Sequence, residues 1–560
     1  MSPSQTFLKL HDRIKQEWRI AFLTCFVLGL LIHMPVLLSD IPNHDGLDSM
    51  YFDQNMITSG RWFLSVACGF SSYYTLPWLI GVLGLLFLGV AAAALCELLE
   101  VRKTWAVVLC SGLLVAFPAL ASTFAYVYTL DGYMMALMLA VLAVLFVRKR
   151  KYGFLPGAVC LAFSMGIYQG YLSFAMILSV FAIWMLFAKG ASEGAESARR
   201  AVEEKVSAGA ESARRATEKK VSAGATYARG QGKGGLLRRK LPEALRYLYM
   251  GVLGAALYFV ILQVLLRIQG KELDHYQGID GLNHGAASGQ GILSALADMY
   301  RDFFGFTLKG NVLFQNVYSL AAWILLALAA GGTLLFLIRN RKGWKYPSLF
   351  VIIGVSAVML PFVTNIILLI SPSVNYHLLM RYQWVLYAIG AVALVSGCEF
   401  GTKRGACLEW AALLAAGVLV FCYSVTDNIA YSNLQKRYEK TYAYCVRLLD
   451  RIEQTEGYYP GIPIAMIGVV GDEQFPPTDI TLPVTSNMIG MNGDVLLYRG
   501  DNYRLFIQHY LGATLNILPA EAMTDMYEDA EYVAMDSFPG PDSIRIIDGI
   551  MYIKTENVTR

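Results

Sequence analysis

The chain has 560 residues, of which 56% are hydrophobic and only 16% are charged, and its mean hydropathy is +0.47. A soluble domain carries roughly a quarter charged residues, so the composition excludes an ordinary soluble protein. It predicts a polytopic α-helical membrane protein instead. The net charge of +4 is small, and we expect no nucleic acid among the partners.

Apolar runs of membrane-crossing length divide the first three quarters of the chain. They predict about 11 transmembrane helices, at residues 20–38, 75–99, 105–122, 125–147, 154–168, 169–188, 245–268, 317–338, 348–371, 384–399 and 407–424. After residue 424 no run of this length occurs.

Lysine and arginine are concentrated in every second connection between these runs. They lie at Lys9 to Arg19, Arg102-Lys103, Arg148 to Lys151, within 189–244, at Arg339 to Lys345 and at Lys403-Arg404. Because cytoplasmic loops carry an excess of these residues, the alternation predicts a cytoplasmic N-terminus. The loops 39–74 and 269–316 and the C-terminal part are then extracytoplasmic.

These boundaries predict four parts. A cytoplasmic N-terminal segment covers 1–19, a transmembrane domain 20–424, a cytoplasmic charged insertion 189–244, and an extracytoplasmic α/β domain 425–560. The insertion repeats with a period of fifteen residues, as in ASEGAESARRAVEEK and VSAGAESARRATEKK. It lacks an apolar stripe, so a solvated helix or linker is favoured over contact with lipid headgroups through Arg238-Arg239-Lys240.

In the C-terminal part, helical periodicity covers 430–456, and the run 462–470 is typical of a buried strand. Residues 543–555 predict two strands joined at Asp548-Gly549, which is a strong hairpin signal. These patterns predict the α/β class.

The first outer loop contains the stretch SDIPNHDGLDSMYFDQNMITSGRWF, residues 39–63. A helix is expected to start near Asp45, which places Asp45 and Asp48 on one face. Two interpretations remain open for them. They are an N-cap and a first-turn carboxylate, or one of them is a general base at the membrane boundary. Arg61 suits a phosphate group through bidentate pairing.

Further polar residues are expected on the same side of the membrane. As candidate substrate-binding residues we take Asp40, Asp131, Tyr168, Gln169 and Tyr382, and as a second phosphate ligand Arg381. Asp131 is equally well explained as a helix-start residue, and Arg381 as an interfacial anchor. His33 is interpreted as a packed, hydrogen-bonded residue. No histidine spacing supports a metal site, so no cofactor is assigned.

The sequence lacks the motifs of nucleotide-dependent enzymes. GxxxxGK[ST] does not occur, which argues against an ATP-driven pump. No cytoplasmic domain with nucleotide-binding glycines is evident, so a sugar nucleotide is not the expected donor. An enzyme acting at the outer face then requires a donor delivered by the membrane.

The motifs NHDGL (43–47), GRWF (60–63) and the Tyr168-Gln169 turn resemble the GtrII-type bacterial glucosyltransferases, most clearly over residues 1–188. The resemblance implies a GT-C membrane glycosyltransferase. Such enzymes use a polyprenyl-phosphate sugar, typically undecaprenyl-phosphate glucose, at the outer face of the cytoplasmic membrane. Their acceptors are cell-surface glycans such as O-antigen, teichoic acid or wall polysaccharide.

Carried onto this chain, the family's catalytic carboxylate in the first outer loop matches Asp45, with Asp48 and Asp40 in reserve, and its arginine matches Arg61. The expected partners are a small flippase and a polyprenyl-phosphate glucosyltransferase that makes the donor. A transporter or flippase of lipid-linked saccharides is the alternative function, although the membrane part lacks the internal repeats typical of transporters. A receptor or structural protein without turnover is a third.

Overall fold

The computed structural model describes residues 2–49, 53–69, 75–190, 235–274, 292–309, 316–339, 347–371, 374–398, 403–467, 488, 491, 497 and 500–555. Its helices are α1 (Pro3–Arg13), α2 (Gln16–Leu37), α3 (His44–Ser49), α4 (Leu64–Ala67), α5 (Pro77–Leu98), α6 (Thr104–Ala116), α7 (Pro118–Phe124), α8 (Leu130–Lys149), α9 (Phe154–Ile167), α10 (Gln169–Gly190), α11 (Gly235–Gln269), α12 (Ile292–Lys309), α13 (Asn316–Arg339), α14 (Pro347–Thr364), α15 (Ile367–Ile370), α16 (Val385–Gly397), α17 (Lys403–Glu453), α18 (Gly500–Phe506) and α19 (Ala530–Ala534). The strands are β1 (Pro463–Ile467), β2 (Asn516–Ile517), β3 (Ile544–Ile547) and β4 (Ile550–Lys554).

Within this described part of the chain, seven helices are long and apolar enough to cross a membrane, and α6 with α7 makes an eighth if the bent pair is one span. Shorter apolar helical segments lie at Phe154–Ile167, Leu320–Gly331 and Val351–Thr364. The fold is consistent with a multi-pass membrane protein. The number of eleven spans stays a prediction.

The predicted span 105–122 is broken at Pro118. Proline has no N–H and cannot continue a helix from the preceding turn, so α7 leaves α6 at an angle of 49°. Side chains from elsewhere in the bundle bond the carbonyl groups at the break. The Tyr382 hydroxyl donates to the Leu114 carbonyl, and a ring nitrogen of His33 lies 2.9 Å from the Val115 carbonyl. His33 is therefore a hydrogen-bonded core residue, as the sequence indicated.

Basic connections meet at one end of the helical bundle, around the buried carboxylate of Glu97. It accepts hydrogen bonds from Lys15 Nζ at 2.9 Å and from Arg102 at 3.0 Å, and it also pairs with Lys149. The Trp18 indole donates to the same carboxylate at 3.0 Å. The N-terminal segment, the connection after α5 and the end of α8 therefore share one end, which we call the basic end.

The first loop lies at the opposite end, which we call the loop end. The Phe63 N–H donates to the Gly166 carbonyl at 2.8 Å, and the Asp274 N–H donates to the Thr58 carbonyl at 3.0 Å. A Cβ on Gly166 would approach the Trp62 ring to 2.6 Å, so only glycine allows this contact. The loop is thus fixed against the turn after α9 and the segment after α11.

Helix α17 joins the bundle to the C-terminal part. It is continuous over 51 residues, about 76 Å at a rise of 1.5 Å per residue. The sequence predicted a span at 407–424 and a separate helical segment at 430–456. They merge because residues 418–453 contain neither glycine nor proline, so the helix continues after the apolar run ends.

The C-terminal strands form one sheet in the order β2-β1-β4-β3, with β1 parallel to both neighbours. β3 and β4 pair antiparallel across Asp548 (φ 49°) and Gly549 (φ 80°), the positive-φ pair of a tight hairpin turn. The predicted hairpin is therefore present. Leu448 of α17 packs in one hydrophobic cluster with Ile464 of β1 and Ile553 of β4.

Candidate functional site

Helix α3 carries the aspartates of the first loop and is capped by Asn43. The Asn43 side-chain oxygen accepts from the Gly46 N–H at 2.6 Å, while its amide donates to the Ala125 carbonyl at 3.0 Å. The N-cap interpretation of Asp45 is therefore wrong. Asp45 lies in the first helical turn, where the helix dipole favours a negative charge, and its side chain is exposed.

The other face of α3 contacts the C-terminal part. Leu47 is buried in one hydrophobic cluster with Tyr444 of α17 and Phe506 of α18. The side chain of Asp48, the second predicted catalytic residue, lies outside the described residues. Helix α3 is thus held between the bundle, through Asn43, and the C-terminal sheet, through Leu47.

Asp40 lies at the same junction, just after α2. The Tyr510 hydroxyl donates to the Asp40 carbonyl at 3.4 Å. Lost hydration raises the pKa of the Asp40 carboxyl above its usual range, and nearby His509 opposes part of that rise. Asp40 therefore faces the C-terminal part of the protein.

The GRWF turn positions Arg61. Gly60 has a φ of 79°, a left-handed conformation that glycine adopts without strain, and its carbonyl accepts from the Tyr258 hydroxyl at 3.0 Å. The Arg61 guanidinium donates to the Tyr133 hydroxyl at 3.2 Å and lies 5.5 Å from the centre of the Tyr168 ring. Two tyrosines thus hold the cation in place, one through a hydrogen bond and one through its π face.

A cleft at the loop end brings three of the predicted residues together. Its lining residues are Ser59, Arg61, Tyr168, Gln169 and Gly170 on one side, and Ile367, Ile370, Ser371, Val374 and Met380 on the other. Gln169 Nε2 donates to the Ser59 carbonyl at 3.0 Å and to the Tyr258 hydroxyl at 3.1 Å. The cleft therefore combines one cation, polar side chains and an apolar wall.

The Tyr168 hydroxyl is a buried polar group of this cleft that the described residues leave without a hydrogen bond. Tyr168 is 4% exposed, its ring stacks on Tyr133 with centroids 4.6 Å apart, and its hydroxyl has no hydrogen-bond partner among the described residues. A buried polar group in that condition costs about 1–3 kcal/mol. A polar ligand in the cleft would supply the missing bond.

Arg381 lies in a separate buried network. Its guanidinium forms a bidentate pair with Asp302 of α12 at 2.8 and 2.7 Å and lies 3.9 Å from the centre of the Tyr376 ring. Asn365 donates to the same carboxylate at 3.0 Å. The neighbouring Met380 lines the cleft, so this network stands behind the apolar wall.

Tyr382 and Asp131 lie inside the bundle. Tyr382 is 2% exposed and stacks on Phe174 at 5.7 Å. Asp131 is buried in the first turn of α8, where its carboxylate accepts from the Gly132 N–H at 2.9 Å. Asp40, Asp45, Asp131, Arg381 and Tyr382 do not line the cleft.

In the described ranges, no group of three or more His, Cys, Asp or Glu residues is arranged to hold a metal ion. His275 and His284 of the loop 269–316 lie outside those ranges, as does the repeat at 191–230 of the charged insertion.

Comparison with protein families finds a match that includes one side of the cleft. Residues 34–205 match the glucosyl transferase GtrII family. The resemblance carried by NHDGL, GRWF and Tyr168-Gln169 is thereby confirmed. The match implies a glucosyltransferase. No curated protein and no solved structure matches the chain.

The matched residues 34–205 include Arg61, Tyr168 and Gln169, whereas the apolar wall comes from residues beyond them. Sequence reasoning missed Tyr133 and Asp302. Tyr133 stands two residues after Asp131 in an apolar run, where a tyrosine signals a hydrogen bond. Asp302 is 79 residues from Arg381, and no local pattern joins them.

Proposed function

We propose that the protein is a GT-C-type membrane glycosyltransferase that transfers a hexose from a polyprenyl phosphate to a cell-surface glycan. The family match indicates that the hexose is glucose. The donor is undecaprenyl-phosphate glucose, and the acceptor is O-antigen, teichoic acid or another wall polysaccharide. The reaction takes place at the outer face of a bacterial cytoplasmic membrane, with the N-terminus inside and the C-terminal part outside. A polyprenyl-phosphate glucosyltransferase and a small flippase deliver the donor.

The observation that carries the proposal is the cleft that the matched segment 34–205 lines on one side. Arg61 places a fixed cation beside Gln169 and the Tyr168 hydroxyl, which has no hydrogen-bond partner among the described residues. A guanidinium suits a phosphate, and the amide and hydroxyl suit a sugar. The apolar wall of Ile367 and Ile370 suits the first units of a lipid chain. Orientation is supported by the gathering of basic segments around Glu97 at the opposite end, since basic loops favour the cytoplasm.

In the proposed reaction, an acceptor hydroxyl gives its proton to the carboxylate of Asp45 and its oxygen attacks the anomeric carbon. The bond from that carbon to the phosphate oxygen breaks, and polyprenyl phosphate leaves with the electron pair. Arg61 stabilises the charge that develops on the phosphate. One displacement inverts the anomeric centre. Arg381, with Asp302, supports the apolar wall of the donor site. Asp48 is the second candidate for the general base.

The test is transfer from labelled undecaprenyl-phosphate glucose to bacterial wall polysaccharide by the full chain in proteoliposomes. Wild-type protein is expected to label the glycan, and Asp45→Asn to lose at least about 100-fold in rate, the usual contribution of general-base catalysis. Asp53→Asn is the matched control. The Asp53 carboxylate accepts a local hydrogen bond from the Asn55 N–H at 2.8 Å, and an amide oxygen at position 53 can accept the same bond.

Near wild-type turnover by Asp45→Asn would eliminate the base assignment. Label that crosses between leaflets without reaching the glycan would favour the flippase alternative. Absence of both would leave a binding protein.

A further inference from the structure

Four aromatic side chains form a patch where the C-terminal part meets the first loop. We call it the tyrosine patch, and it consists of Tyr438 and Tyr442 of α17, Phe506 of α18, and Tyr510. The Phe506 and Tyr510 rings are 4.9 Å apart, Tyr438 and Tyr510 are 5.4 Å apart, and Tyr438 and Tyr442 are 6.2 Å apart. Phe506 is buried beneath the others, while Tyr442 is 40% exposed.

The backbone beneath the patch is irregular. Residues Ile507–Leu511 form a π-helical turn directly after α18, and such turns occur frequently at functional sites. The turn carries both His509 and Tyr510, and it ends at Gly512 with a φ of 77°. It therefore presents an imidazole and a phenol on the same short segment.

A carboxylate stands beside these rings. The Tyr510 hydroxyl donates to the Asp40 carbonyl at 3.4 Å, and the Asp40 carboxyl is close enough to His509 and Tyr438 to interact with them electrostatically. Aromatic faces stack on the C–H faces of sugar rings, and carboxylate and imidazole groups hydrogen-bond to sugar hydroxyls. A negative carboxylate disfavours a phosphate headgroup. The chemistry of the patch therefore fits a saccharide better than an anionic lipid.

The patch is connected to the proposed base. Phe506 shares a hydrophobic cluster with Leu47 of α3, the helix that carries Asp45. Asp40 and Asp45 are five positions apart in the sequence, which limits the distance between their Cα atoms to about 18 Å. A short oligosaccharide spans this distance.

We propose that the tyrosine patch, with Asp40 and His509, is the subsite that holds the acceptor saccharide while its terminal hydroxyl reaches Asp45. The proposal rests on the glycosyltransferase function proposed above. It assigns acceptor recognition to the junction of the first loop with the C-terminal part, and donor recognition to the cleft at Arg61.

The test uses the full chain in nanodiscs and the variants Tyr442→Ala and His509→Ala. Tyr459→Ala is the matched control, because Tyr459 is also an exposed tyrosine, 53% exposed, beyond the end of α17. Each patch variant is expected to raise the KM for wall polysaccharide about tenfold, the effect of one lost aromatic or polar contact, with the KM for the lipid donor unchanged. On an array of bacterial surface polysaccharides, the same variants are expected to lose the signal that wild type and Tyr459→Ala give. Equal unfolding temperatures exclude misfolding.

An unchanged acceptor KM and array signal in both variants would overturn the proposal. A change in the KM for the lipid donor alone would assign the patch to the lipid interface and overturn it too. If the wild type transfers no sugar, the proposed function fails. The array then decides the patch by itself, since loss of saccharide binding in the variants still supports a saccharide site.

Discussion

The Arg61 side chain offers the sharpest test of the cleft. Its guanidinium is held by the Tyr133 hydroxyl at 3.2 Å and by the Tyr168 ring, so it is ordered before a donor binds. A hydrogen-bonding group that is already oriented toward the charge developing in the reaction stabilises the transition state by about 2.7–4 kcal/mol. Arg61→Ala is therefore expected to lower the transfer rate about 10²- to 10³-fold.

Two milder substitutions separate charge from geometry. Arg61→Lys keeps the charge but loses the planar fork that matches a phosphate. At about 1.5 kcal/mol for one charged hydrogen bond, it should lower the rate about tenfold. Tyr133→Phe removes the hydroxyl that accepts a hydrogen bond from Arg61, about 1 kcal/mol, and should lower the rate about fivefold.

The assay is single-turnover transfer from labelled donor in proteoliposomes, with donor KM measured separately. Arg447→Ala is the control, because Arg447 is an exposed arginine whose side chain donates to the Ala443 carbonyl of its own helix, at 3.3 Å. The transfer rate is expected to be lowest for Arg61→Ala, higher for Arg61→Lys, higher again for Tyr133→Phe, and highest for the wild type. If Arg61→Ala retains half of the wild-type rate in folded protein, the phosphate role of Arg61 is refuted.

Three further predictions concern hydrogen bonds and charges. Tyr168→Phe should leave the unfolding temperature unchanged, because the hydroxyl has no described protein partner, but should lower transfer about tenfold if it bonds the donor; equal transfer would show that the hydroxyl does not contact the donor. Asp302→Ala should destabilise the protein by about 3 kcal/mol, because it leaves the buried Arg381 charge unpaired. Replacing both residues by leucine should restore most of that stability. Thermal unfolding in detergent measures both variants, and an equal loss of stability in the double variant would contradict the ion-pair argument. Glu97→Gln should lower the free energy of unfolding by about 1–2 kcal/mol in the same measurement. The loss is moderate because the carboxylate is 2% exposed, whereas its cationic partners are more than 40% exposed and partly screened by water. An unchanged free energy of unfolding would mean that solvent already screens the cluster fully.

Local patterns in the sequence predicted two features of the fold, the gathering of basic segments at one end of the bundle and the hairpin of β3 and β4. The alternation of basic loops predicted that Lys15, Arg102 and Lys149 share one end of the bundle, and all three meet at Glu97. The Asp548-Gly549 pair predicted the hairpin. Periodicity and turn chemistry decide such features within a few residues, so they can be predicted before the fold is known.

Features decided by tertiary contacts could not be predicted. Asn43 and Asp45 are both good N-cap residues. Asn43 caps the helix, and its amide also donates to the Ala125 carbonyl. Only the folded bundle brings that carbonyl near, so the sequence does not show which residue is the cap. Arg381 was expected either to bind a phosphate or to act as an interfacial anchor, and it pairs with Asp302 of α12, a contact that no local pattern predicts. A guanidinium signals an anion without specifying which one.

The division of the predicted site follows from the same limit. Sequence proximity joined Asp45 and Arg61 on one loop, yet their surroundings differ. Arg61 is held by the bundle through Tyr133, whereas α3, which carries Asp45, is held by the bundle through Asn43 and by the C-terminal part through Leu47. Docking of the C-terminal part on α3 therefore contributes to the position of the proposed base relative to the proposed phosphate site. An acceptor bound at that junction would contact the element that carries the base, which couples acceptor binding to catalysis without any direct contact between acceptor and Arg61.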